Sequence, residues 1–169
     1  NRLVLSPADG KIVEINELTP DDEIGLSKSK YIKVGIFMNV FNVHVNRSPM
    51  KGKILSKNYI PGVFFNASLD KASKENERLS LTMDIGSNRK IGFVQIAGLI
   101  ARRIITNVDV GSELKAGEVF GLIRFGSRVD VYLPVESEVQ VLVGQTSIAG
   151  ETVLAKLTEQ KTVKKSSRK

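Results

Sequence analysis

Short runs rich in Val and Ile, each closed off by Gly, Pro, Asn or Asp, recur from one end of this 169-residue chain to the other. They read KIVEI, YIKVGIFMNVFNVHV, LSLTMDI, KIGFVQIAGLIARRIIT, EVFGLI, VDVYL, EVQVLV and TVLAKL. A chain broken so often into β-branched segments builds sheets, because such residues fill a pleated surface and the breakers supply the turns. Only NASLDKASKENERL has a composition fit for a helical turn, and its charge places it in a solvent-facing loop. The expectation is a mainly β fold, a flattened β-barrel or sandwich with few short helices, on a length that suits one compact domain.

An internal echo sharpens this. VGSELKAGEVFGLI from Val110 and VGQTSIAGETVLAKL from Val143 share a Val-Gly start and a later Ala-Gly-Glu. Gly111 and Gly117 of the first copy are matched by Gly144 and Gly150 of the second. Glycines so placed admit positive φ in tight turns, and the flanking apolar residues then pair as hairpins. The pattern resembles the hammerhead units, or barrel-sandwich hybrids, of biotinyl and lipoyl carrier domains. It bears on architecture, and a noncatalytic hammerhead-type binding domain stands as the alternative to an enzyme.

Composition narrows the chemistry. There is no cysteine, which removes thiolate nucleophiles and disulfides, and the single histidine, His44, removes any multi-histidine metal site. The net charge of +7 suggests an anionic partner, but Lys161, Lys164, Lys165, Arg168 and Lys169 crowd the last nine residues with no acid among them, leaving a body near +2. Residues 159–169 therefore read as a basic, disordered tail behind a domain of residues 1–158. Aromatic content of 6% and the absence of tryptophan argue against nucleic acid. The longest apolar stretch, IGFVQIAGLIA, is short for a membrane span and carries Gln95 and two glycines, so the chain itself reads as soluble. It starts at Asn1 without a methionine, which leads to the expectation of further sequence upstream, a membrane anchor included.

Three places could carry chemistry. In RFGSRVDVYLP, Val129, Val131 and Leu133 alternate with Arg128, Asp130 and Tyr132, so the Gly126-Ser127 pair stands at the mouth of a strand, as a plain turn or as something more. In YIKVGIFMNVFNVHVN, Ile32, Val34, Ile36, Met38 and Val40 share one face; continued in phase, that face takes in Asn42 and His44, whereas a bulge near Phe41 turns His44 to solvent. His44 is the one group suited to proton transfer near neutral pH. Asp9, in the Pro-Ala-Asp-Gly turn of SPADGKIVEI, is a turn residue or the carboxylate that fixes an imidazole tautomer. Asn76 and Arg78 of KASKENER could hold a phosphate, but Arg102, Arg103, Arg124 and Arg128 could equally.

Taken together, SPADGKI, NVFNVHVNRSPMKGKI, PGVFFNASLDKASKENER, VQIAGLIARRI and GLIRFGSRVDVYLP resemble the short-form, archaeal-type phosphatidylserine decarboxylases, archaetidylserine decarboxylases among them, across about residues 3–155. The resemblance implies a zymogen that makes its own pyruvoyl cofactor by cutting between Gly126 and Ser127, giving a large chain of residues 1–126 and a small one from residue 127. It implies Ser127 as nucleophile and pyruvoyl precursor, His44 as base and Asp9 as its orienting acid. The matured carbonyl would form a Schiff base with the serine head group of a phospholipid and draw in the electrons released as carbon dioxide leaves. A metal is not part of this scheme. The resemblance further implies a membrane-associated enzyme on the cytoplasmic face and a homodimer; Val63, Phe64 and Phe65 of PGVFFNASL then read either as acyl-chain contacts or as a core strand. Pyruvoyl decarboxylases of free amino acids are the runner-up, set apart by lacking the SPADG and KASKENER blocks.

Overall fold

The computed structural model describes residues 2–39, 45–99, 103–124 and 126–159. His44, Arg102 and the basic residues from Lys161 onward lie outside the described residues, as does the choice of face between Val40 and His44. The elements are β1 (Leu3–Leu5), β2 (Gly10–Leu18), β3 (Tyr31–Met38), β4 (Val45–Arg47), β5 (Gly52–Ile60), α1 (Ala72–Glu75), β6 (Arg78–Asp84), β7 (Lys90–Ile96), β8 (Ile104–Thr106), β9 (Glu113–Leu114), β10 (Val119–Ile123), β11 (Ser127–Pro134), β12 (Glu138–Val139), β13 (Thr146–Ser147) and β14 (Val153–Lys156). The fold is mainly β, as the run pattern predicts.

Eight strands form one antiparallel sheet in the order β13-β2-β3-β11-β7-β6-β5-β9, flanked by the small sheets β1-β14-β12 and β4-β10-β8. The large sheet reads the same from either edge. Lys11, Phe37 and Arg128 form one cross-strand row; Lys53, Asp84 and Lys90 form the matching row at the opposite end. The ladder slips between Ile12 and Glu14 in one half and between Ile54 and Ser56 in the other. Val131 faces Phe93 where the two halves meet.

The glycine echo is half of this duplication. Gly144 N–H donates to Ile12 O at 2.7 Å and Gly111 N–H to Ile54 O at 2.8 Å, while Gly150 and Gly117 donate to Ser6 O and Ser48 O, both at 2.8 Å. All four glycines have positive φ, between 75° and 93°. The strands they dock on open with SPADGKI and SPMKGKI, and the two Ser-Pro turns exchange hydrogen bonds, Leu5 N–H to Pro49 O and Arg47 N–H to Pro7 O, each at 2.9 Å. Two hammerhead-like halves thus share one sheet.

Two layers bury that sheet. On one face Val34, Ile36, Met38, Phe93, Val129, Val131 and Leu133 pack under Val4, Phe120, Ile123 and Leu154 of the small sheets, with Phe93 and Phe120 edge to face, their centroids 4.9 Å apart. On the other, Val94, Ile96 and Tyr132 are covered by Ile24, Leu26, Tyr31 and Ala72. Strand β11 is buried along its whole length, so its alternation separates two interiors and not an inside from an outside.

Three expectations need correction. KASKENER is not a solvated loop: it forms the turn α1, whose Ala72 and Ser73 are buried, and runs into a fully buried Asn76 and a nearly buried Arg78. Their partners come from distant strands, which local charge does not reveal. The run YIKVGIFMNVFNVHV does not hold one strand, since β3 ends at Met38 and β4 starts at Val45 in another sheet. KIGFVQIAGLIARRIIT likewise divides into β7 and β8. Strand β5, GKILSKNYI, escapes the run pattern because most of its polar positions face solvent.

Candidate functional site

The start of β11 is built around the Gly126-Ser127 bond. Register pairs Ser127 with Met38, and Gly126 N–H donates to Met38 O at 2.7 Å. Gly126 has φ 75°, in the left-handed region that glycine enters without a Cβ penalty. A β-carbon there would meet nothing within 4 Å beyond its own chain neighbours, so what calls for glycine is the backbone conformation. The Gly126 carbonyl points the other way, onto Gly98 just past β7, where a β-carbon would stand 1.7 Å from its oxygen and 2.8 Å from its carbon. Gly126, which carries the carbonyl of the bond proposed from the sequence, is therefore held both at its N–H and at its carbonyl.

Ser127 is fully buried and faces the larger core, its Oγ donating to Met38 Sδ at 3.7 Å. Asn46 Nδ2 donates to the same sulfur at 3.6 Å, and Gln95 Nε2 donates to Asn46 Oδ1 at 2.9 Å. Sulfur is a weak acceptor. Gln95 Oε1 is buried with no hydrogen-bond partner among the described residues. A small polar cluster thus sits beside the serine, in an otherwise apolar layer.

Asp9 stands on the other side of β3. Its Oδ1 accepts the Ala149 N–H at 2.7 Å, and its other oxygen has no partner among the described residues. The turn beneath is fixed by the buried Ser6 and Ser147 hydroxyls, each 2.9 Å from Ala8 O. Gly10 must be glycine, since a β-carbon would lie 2.2 Å from Phe37 O. Because β2, β3 and β11 are neighbours, Asp9 and Ser127 flank the end of β3 about two strand spacings, ~10 Å, apart. Val45, the first described residue after His44, pairs with Leu122 near the end of β10, the strand that leads into Gly126.

The other sequence-derived site residues divide. Asn76 Oδ1 accepts from Phe65 N at 3.0 Å, and its Nδ2 donates to Phe65 O and Ala97 O, both at 2.8 Å. Arg78 donates to Asn76 O at 2.8 Å and pairs with Glu23. Asn76 clips the loop before α1 to the end of β7, beside Gly98, while Arg78 ties the end of α1 to Glu23 and leaves its buried Nε without a partner among the described residues. Phe64 is half-buried, while Val63, Phe65 and Leu69 of that loop and Leu99 after Gly98 are exposed by 37 to 55%. They form an apolar patch at this end of the sheet, with Lys71 Nζ 4.2 Å above the Phe65 ring.

Directly behind Ser127, on the opposite face, lies a buried charge network. Arg128 is wholly buried and pairs with Glu14 and, through Nε at 2.6 Å, with Asp130. Lys33 Nζ reaches Glu14 at 3.0 Å and Ser73 Oγ donates to Asp130 at 2.6 Å. Burial alone would raise the Glu14 carboxyl, but the Lys33 hydrogen bond and the Arg128 and Lys33 charges outweigh it and hold the group below its ordinary value. Gly35 makes room: a β-carbon there would lie 2.3 Å from the Arg128 guanidinium. Burial and then the Asp130 charge push the Tyr132 phenol far above its usual range.

Sequence reasoning missed Gly98, Asn46 and Gln95. Gln95 and Asn46 had a signal, as polar residues at core-facing positions of strands, which marks either a partner or a site. Gly98 had none, because its need for glycine is created by a carbonyl remote in the chain.

The family model described as phosphatidylserine decarboxylase matches residues 1–155 of the chain. The phosphatidylserine decarboxylase proenzyme of Rickettsia bellii (strain OSU 85-389) is 58% identical over 162 residues, covering 96% of this chain and 70% of the relative. That of Rickettsia rickettsii (strain Sheila Smith) is 58% identical over 160 residues, covering 95% and 69%. The same identity and span hold for the proenzyme of Rickettsia felis.

Proposed function

The chain belongs to the phosphatidylserine decarboxylase family and is a self-processing carboxy-lyase; on that premise we propose that it cuts its own Gly126-Ser127 bond and acts on the serine head group of a membrane phospholipid. The observation that carries this is the arrangement at the head of β11: a left-handed glycine whose carbonyl is seated on Gly98, followed by a buried hydroxyl. The residues present fit the formation of a pyruvoyl group. Ser127 Oγ attacks the Gly126 carbonyl carbon, the peptide C–N bond breaks, and the ester formed leaves residue 127 with a free amine. Loss of the α-proton expels the Gly126 carboxylate, and the dehydroalanine left behind tautomerises and takes up water, releasing ammonia and leaving a keto-acyl cap on residue 127. The group supplies a carbonyl that engages the substrate amine and serves as an electron sink.

A serine hydroxyl needs a base, and the assignment is His44 oriented by Asp9. Asp9 supports it by keeping one carboxylate oxygen unpartnered among the described residues, on the far side of the strand end from which the chain runs toward His44. The head-group phosphate falls to Arg103 and Arg124. Ile123 pairs with Ile104, so these arginines, both exposed, follow in register at the end of the ladder beside Gly126. Like charges opposite one another repel, and a phosphodiester between them relieves it. The apolar patch of Val63, Phe65, Leu69 and Leu99 then meets the acyl region at the membrane surface. No helix among the described residues is long and apolar enough to cross a membrane.

The test is intact mass and denaturing electrophoresis. The wild-type chain is expected to yield two fragments, the smaller closed at its amino end by a ketone that reacts with hydroxylamine. Ser127→Ala is expected to remain one chain of 18.5 kDa. Cleavage of Ser127→Ala, or fragments cut at another bond, overturns the proposal.

A further inference from the structure

The geometry points to Gly98 as a positioning residue for chain cleavage: its bare Cα is the seat on which the Gly126 carbonyl is held for attack. The inference rests on Gly126-Ser127 being the bond that is cut.

The molecule holds its own comparison. The cross-strand rows match Arg128 with Lys90, so Gly126-Ser127 corresponds to Asn88-Arg89 at the opposite end. Asn88 also has positive φ, 55°, so a left-handed turn into the strand is common to both ends, although Arg89 stands where Ser127 offers a hydroxyl. The ends differ in what lies against that turn. Two residues beyond β7 stands Gly98; two residues beyond β11, at the corresponding place, stands Glu136.

Gly98 is not needed for its own backbone, since it is absent from the residues of positive φ. It is needed for contact. A β-carbon would come within 1.7 Å of the Gly126 oxygen, and real contacts of that kind stop near 3.0 Å, so the carbonyl would have to retreat by about 1.3 Å. No flexible side chain can yield instead, because the atom in the way is backbone. With Gly126 N–H fixed to Met38 O at 2.7 Å and Ser127 in register with the same residue, the carbonyl retreats by turning about the bond between the Gly126 Cα and its carbonyl carbon, which changes the face it offers to Ser127 Oγ. Misplacing a reacting group by an ångström costs on the order of 100-fold in rate.

The test compares four chains: wild type, Gly98→Ala, Ser127→Ala and the double variant Gly98→Ala/Ser127→Ala. Gly98→Ala is expected to cut itself ~100-fold more slowly, while decarboxylation of phosphatidylserine in detergent micelles, counted per cleaved molecule, stays at the wild-type level. Cleavage turns that carbonyl into a free carboxylate, so its seat no longer matters. The two chains carrying Ser127→Ala measure folding without cleavage and are expected to melt together. Cleavage of Gly98→Ala at the wild-type rate overturns the inference. So does a parallel fall in cleavage and per-molecule turnover, or a double variant that melts well below Ser127→Ala, since either makes Gly98 a packing residue only. If Ser127→Ala itself is cut, the assignment of the bond fails and the inference goes with it.

Discussion

Replacing Arg128 by Met is the sharpest test of what holds the head of β11 in place. The guanidinium is fully buried and pairs with Glu14 and Asp130, and Gly35 gives up its side chain to admit it. Met fills similar space with no charge, leaving Glu14 with Lys33 as its cation and the buried Asp130 with the Ser73 hydroxyl. Breaking a buried ion pair from one side costs about 3 to 5 kcal/mol, because a charge is left without its partner. For a chain of this length, at roughly 3 °C per kcal/mol, that is a fall of about 9 to 15 °C in Tm. The measurement is thermal and urea unfolding in a Ser127→Ala background, so that every molecule is one chain. The effect carries a pH signature. The folded-state pKa of Glu14 is lowered, so its contribution is complete above its unfolded value of about 4.3 and is lost as pH falls through the lower folded one. Arg128→Met removes one of the two cations responsible, so the gap between parent and variant should narrow on acidification below about pH 4. Adding Glu14→Gln should recover part of the loss at neutral pH. A deficit under about 1 kcal/mol, the ordinary worth of a surface pair, or a gap indifferent to pH, would refute the reasoning.

Neutralising the arginine pair, Arg103→Gln with Arg124→Gln, should raise KM for phosphatidylserine about tenfold or more, the loss of one charge-assisted contact or two, while self-cleavage proceeds unchanged. A matched fall in kcat with KM unmoved would place the phosphate elsewhere. Phe65→Asp with Leu99→Asp puts two charges on the apolar patch and should abolish sedimentation with vesicles of phosphatidylserine and phosphatidylcholine. Activity on a short-chain soluble substrate should survive. Undiminished vesicle binding would show that another face meets the bilayer.

Much of this architecture is legible in the chain because strand patterning is local. The alternation from Arg128 to Leu133 places Gly126 and Ser127 at a strand mouth, and the paired glycines at 111, 117, 144 and 150 announce repeated turns that the structure shows with positive φ. The first half of the repeat is harder to see: SPADGKI and SPMKGKI agree at five positions, but Asp9 and Lys51 differ in charge, and the eye goes to the acid. What the sequence hides is whatever a remote partner creates. Asn76 and Arg78 resemble solvated charge until Phe65, Ala97 and Glu23 are brought to them. Gly98 looks like a turn glycine until a carbonyl from the next strand is laid against it. The sheet also turns a simple rule, alternating inside and outside, into two interiors, which is why Arg128 and Asp130 could not be recognised as buried from their strand alone.

Strand β11 has both of its neighbours, β3 and β7, on the far side of residue 126 in the chain, and β13 and β14 likewise lean on β2 and β1. A cut at that residue would therefore produce two polypeptides woven through one another, with no face along which they could peel apart. Dilution should not separate them, and the lifetime of the nicked molecule would be governed by how rarely the whole sheet opens. Once it does open, the link that made reassembly intramolecular is gone, so such a molecule would fold only once.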